Sequence, residues 1–139
     1  MTKRRRGSRT ARLHPRRLTS HRPFEELVAW AIDAIPDPYA AALDEVAIVI
    51  ADEPSDEQRR ENGLGPDDTM YGLYEGTPRT EWGADSMPMP NRITLFRLPL
   101  EEDFADPDDL ADEVWVTVIH ELAHHLGIDD ERLTELGID

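Results

Sequence analysis

Cysteine is absent from the 139 residues, which excludes a disulfide framework and a thiolate metal site. Any transition metal must therefore be held by histidine and carboxylate. No apolar run approaches the ~20 residues needed to cross a bilayer, so no membrane partner is expected. Acid is absent from residues 1–22, which carry nine of the fifteen Lys and Arg, while all thirty Asp and Glu come later. An arginine-rich start can open an export signal, but no apolar segment follows this one. Residues 23–35, PFEELVAWAIDAI, place their acids at the spacing of an amphipathic helix instead. The expected location is the cytoplasm. The acidic body disfavours nucleic acid on its folded surface, because phosphates are repelled. Only the basic arm suits an anionic partner. The length is that of one domain, expected as a monomer, with a basic arm over 1–22 and a folded body over 23–139. The arm is polar and free of aromatics, the composition of an unstructured segment.

Along the body, Phe24, Leu27, Val28, Ala31, Ile32 and Ile35 recur at helical spacing, and Pro36 and Pro38 end that helix. Residues 45–54, EVAIVIADEP, are β-branched and continuously apolar, which predicts a central strand covered on both faces. A polar loop or short helix follows. TMYGLYEG (69–76) alternates and predicts a second strand. Residues 76–91 are rich in Pro and Gly and read as a long loop. RITLFRLPL (92–100) predicts a third strand. Either of the last two strands could offer an edge for an extended peptide. Tyr71, Tyr74 and Trp82 are candidate cleft residues, though packing on a small sheet suits them better.

The clearest element is the next helix. Asp106 is a good N-cap and Pro107 suits the first helical position. Asp108, Asp109 and Asp112 favour the positive end of the helix dipole. The run continues through LADEVWVTVIHELAHHL to Gly127, which can take the positive φ of a helix stop. A short helix, DERLTELG, follows. At about 100° per residue, His124 falls about 40° from His120, whereas His125 lies about 140° away. His120 and His124 therefore share one face with Cβ atoms about 5–6 Å apart, so both rings can reach one ion. Glu121 flanks them, placed to take a proton from water. This is the H-E-x-x-H pattern on a helix. The plain alternative is a solvated face carrying His, Glu and His by chance. His125 reads as a packing or supporting residue, and Glu113, on the ligand face, is a candidate to orient an imidazole. Gly127 turns the chain, so Asp129 or Asp130 can fold back over the metal as a third ligand.

The spacing His120-Glu121-x-x-His124-x-x-Gly127-x-x-Asp130 resembles the extended zincin signature. The segments FEELVAWAI, GLYEGTPRTE, RITLFR and HELAHHLGIDDERLTELG together resemble the small single-domain zincin-like metallopeptidases (minimal zincins, formerly a domain of unknown function). The resemblance runs from Phe24 onwards, and the extended signature is its specific part. It implies an α+β minimal zincin-like fold: a small three- to four-stranded sheet packed on an active-site helix, with an N-terminal helix and a short C-terminal helix. It also implies Zn2+ held by His120, His124 and Asp130, with Glu121 as catalytic base and a peptide or protein as substrate. The acidic body suggests basic peptides. Metzincins place a Met-containing turn after the signature; none of the nine residues after Asp130 is Met. The alternative function is a zinc-stabilised binding module, catalytically weak or inactive, whose basic arm docks an anionic partner.

Overall fold

The computed structural model describes residues 2–4, 23–76 and 91–135, with the backbone alone at 2–4 and at Asp130. Its elements in chain order are β1 (Thr2–Arg4), α1 (Phe24–Asp33), α2 (Tyr39–Ala42), a 3-10 turn (Leu43–Glu45), β2 (Ala47–Ala51), α3 (Asp56–Glu61), β3 (Thr69–Glu75), β4 (Arg92–Phe96), α4 (Arg97–Asp103), α5 (Pro107–His125) and α6 (Asp130–Glu135). The fold is α+β, as expected. Among the described residues no helix is long and apolar enough to cross a membrane.

Helix α5 is the axis on which the rest is assembled. The Asp106 carboxylate accepts from the N–H groups of Asp108 and Asp109 at 2.8 and 3.3 Å, satisfying donors that have no partner inside the helix. Pro107 occupies the first turn without losing a hydrogen bond. Leu110, Ala111, Val114, Val118, Ile119 and Leu122 are buried, because α5 is covered by α1 and α2 on one side and by β3 and β4 on the other. Phe24, Leu27, Val28 and Ala31 give α1 its buried stripe, and Trp115 Nε1 donates to the carbonyl of Ala34 at 3.3 Å. The Tyr71 hydroxyl donates to Asp103, tying α4 to β3.

The sheet runs β1-β3-β4-β2. β3 is antiparallel to both β1 and β4, while β2 is parallel to β4. Three expectations are corrected here. The first apolar strand is not central: β2 stands at an edge, with Val49 41% exposed. Its apolar run reflects β-branched composition rather than cover on two faces. The third strand stops at Phe96, and 97–103 turns into a helix. Pro99 has no N–H to give a ladder but loses nothing in the first turn of a helix. Arg97 secures that turn by hydrogen bonds to Asp52 and Glu101, and its guanidinium pKa is raised, chiefly by the Asp52 bond. Finally, Thr2–Arg4 of the arm forms a strand on the outer edge of β3. Residues 5–22 lie outside the described residues, as do 77–90 of the loop expected over 76–91, Trp82 among them. The segment left as loop or short helix is helical in α3, where Ser55 and Gln58 form a reciprocal capping box.

Candidate metal centre

His120 and His124 lie one turn apart near the end of α5. Their ring centroids are 4.9 Å apart with planes at 87°, so the two imidazoles stand edge to face on the side of α5 the helical spacing assigned them. His120 is 9% exposed, and the His124 side chain is 19% exposed. Glu121 is fully buried. Its Oε1 accepts the backbone N–H of Tyr74 at 2.9 Å and lies 3.5 Å from His124 Nδ1. A buried carboxylate is costly unless hydrogen bonds hold it, and the β3 backbone supplies one. Nothing in the pattern around Glu121 announces that strand partner, because a backbone amide carries no residue signature.

Two features bring β3 close enough. Gly72 presents no side chain to α5; a Cβ there would stand 2.5 Å from Cγ2 of Thr117. Helix α5 also packs on β3 and β4, and its Val116 and Ala123 are fully buried. His125 is turned away from the other two imidazoles, as its position on the helix requires. It is fully buried, with Nδ1 2.9 Å from the Tyr74 hydroxyl and Nε2 3.0 Å from Glu45 Oε1. The same hydroxyl donates to Asn91 Oδ1 at 2.9 Å. His125 therefore clamps Tyr74, and with it the strand amide that holds Glu121. Sequence reasoning gave His125 a supporting role but did not identify Glu45 or Asn91, whose approach depends on the tertiary fold. Glu113, the candidate to orient an imidazole, is fully buried on α5 seven residues before His120.

After His125 the helix closes in a Schellman motif. Gly127 N–H donates to the His124 carbonyl at 3.0 Å, and Ile128 N–H to the Ala123 carbonyl at 2.8 Å. Gly127 has φ +82°, a conformation costly for any residue with a Cβ. Helix α5 ends there, and α6 is anchored by fully buried Leu133. Asp129 is the N-cap of α6: its Oδ1 accepts from Arg132 N–H at 2.9 Å and its carbonyl from Leu133 N–H at 3.1 Å. Asp130 opens the helix; its side chain lies outside the described residues. Among the described residues no group of three His, Asp or Glu side chains forms a metal site. What the structure contributes to the donor set is two adjacent imidazoles, a chemistry that suits zinc.

Paired imidazoles and a pinned carboxylate thus lie together near the end of a helix packed on a small sheet. The chain belongs to the zincin-like metallopeptidase family, whose model matches residues 43–138, more than two thirds of the sequence. The match begins beyond the arm and α1. No curated protein matches the chain. Zinc is the metal this family normally binds.

Proposed function

We propose that the chain is a zinc-dependent peptidase in which His120, His124 and Asp130 hold the metal and Glu121 is the general base. The observation that carries this reading is Glu121 itself, a fully buried carboxylate fixed by Tyr74 N–H beside the His124 ring. General-base chemistry gives a carboxylate so oriented a use. When bound, zinc supplies Lewis-acid polarisation of a carbonyl and makes water more acidic. Glu121 takes the proton from the attacking water and returns it to the leaving amine. Tyr74 N–H keeps the carboxylate oriented through both transfers. His124 turns Nδ1 towards Glu121, which leaves Nε2 as the nitrogen for the metal. Asp129 is engaged in capping α6, which favours Asp130 as the third ligand.

The test is cleavage of a mixed peptide library by wild type and by Glu121→Gln, with metal content measured on both. Equal zinc in the two proteins is expected, with cleavage reduced by about 10²–10⁴ in the variant, the usual contribution of a general base. Zinc in both proteins with no Glu121-dependent cleavage would leave the zinc-stabilised binding module as the better reading.

A further inference from the structure

The outer edge of β3 is the part of the sheet beside Glu121, and a segment of the chain already lies on it. β1 pairs antiparallel with β3, with Thr2 opposite Gly72, Lys3 opposite Met70 and Arg4 opposite Thr69. It also lies against α5. Gly72 is two residues from Tyr74, whose N–H holds Glu121. The amino-terminal end of β1 is therefore directed along β3 towards the catalytic carboxylate. Its carboxyl-terminal end stops at Thr69, which lines a cavity of about 610 Å³. That cavity is away from His120 and His124, and its walls include Glu53, Asp56, Asp67, Asp68 and Glu102, with Arg59 the one cation among the described lining residues. A strand edge and a carboxylate-rich cavity thus lie end to end, and the segment seated on the edge reads Thr-Lys-Arg.

We propose that the outer edge of β3 over Thr69–Gly72 is the docking strand for an extended basic peptide, and that Thr2–Arg4 is its resident occupant, which a substrate must displace. Strand addition draws affinity from main-chain hydrogen bonds, so it accepts many sequences. The carboxylates beyond Thr69 add the preference for Lys and Arg. A strand of three residues has few main-chain hydrogen bonds to lose, so it is displaceable. The identification of the peptide as substrate rests on the peptidase reading; the docking edge does not. Chain direction adds a specific consequence. A peptide bound as β1 is bound places its basic residues on the carboxyl-terminal side of the bond presented to Glu121.

The experiment uses the full chain carrying Glu121→Gln, so that the probe stays intact, and a fluorescein-labelled peptide of residues 1–12 read by fluorescence anisotropy. Thr2→Pro with Lys3→Pro removes whichever of the two N–H groups faces β3; Thr2→Ala with Lys3→Ala keeps both. The proline pair should bind the probe at least about tenfold more tightly than the alanine pair, as when a docking site goes from about a tenth open to fully open. Adding Glu53→Gln and Asp67→Asn should weaken that binding and flatten its salt dependence. Equal probe affinity in the proline and alanine pairs overturns the proposal, and so does indifference to the two cavity substitutions. With Glu121 restored, the proline pair should cut library peptides with Lys or Arg on the carboxyl-terminal side of the cleaved bond; enrichment on the amino-terminal side contradicts the proposed direction. Probe binding by the proline pair without any cleavage sustains the docking edge and removes the peptidase reading.

Discussion

At the scale of single residues, the site depends on side chains that look alike in sequence and do different work. Asp129 and Asp130 are adjacent carboxylates, yet Asp129 caps α6 through Arg132 N–H. Asp129→Ala should cost about 1 kcal/mol of stability, the usual worth of an N-cap, and keep zinc. Asp130→Ala should lose most of the zinc, and metal analysis of the two purified variants separates them. His124 and His125 divide in the same way, one beside Glu121 and the other bound to Tyr74 and Glu45. Tyr74→Phe removes a hydroxyl shared by Asn91 and His125. It should cost about 1–3 kcal/mol, because a buried partner loses its hydrogen bond. The strand amide that holds Glu121 remains, so kcat should fall far less than in Glu121→Gln. Chemical denaturation and steady-state kinetics on the same preparation check both halves. Residue placement was legible where helical geometry decides it: 100° steps along a helix suffice to put His120 and His124 together and His125 apart. The Tyr74 amide and Glu45 were not legible, since their approach is set by how β3 and the 3-10 turn pack on α5.

At the scale of elements, the separation of β3 from α5 is the controlling dimension. Gly72 allows it, and Gly72→Ala would force a Cβ to within 2.5 Å of Thr117. Over-packing of this kind costs about 1–3 kcal/mol. Because the displaced strand carries Tyr74 N–H, cleavage should fall by more than a loss of folded protein explains; activity per folded molecule, with folding followed by circular dichroism, is the measurement. The boundaries of α5 were legible because each end carries its own chemistry, Asp106-Pro107 at the start and Gly127 at the stop. The extent of β4 was not, because Arg97, Leu98 and Leu100 suit a strand as well as a helix and only Pro99 argues against one. The position of β2 was misread for a related reason. Ala47–Ala51 has the composition of a buried strand, while its place at the sheet edge depends on the order of pairing, which a single strand does not encode.

At the scale of the whole molecule, charge and metal are the two long-range terms. The basic residues concentrate in the arm and the acids in the body, so opposite fields meet where β1 joins β3. Zinc is expected to couple to stability throughout the domain, since a ligand that binds only the folded state stabilises it by mass action. At about a hundredfold excess over its Kd the gain is about 2.7 kcal/mol, visible as a rise in Tm that chelation reverses. His120→Ala should abolish that response while leaving the metal-free protein folded. The most direct test of the site is an anomalous difference map at the zinc edge from crystals of zinc-loaded protein. One peak is expected at about 2.0–2.2 Å from a nitrogen of His120, a nitrogen of His124 and a carboxylate oxygen of Asp130. A map with no peak there, or with the peak closed by another side chain in place of Asp130, would contradict it.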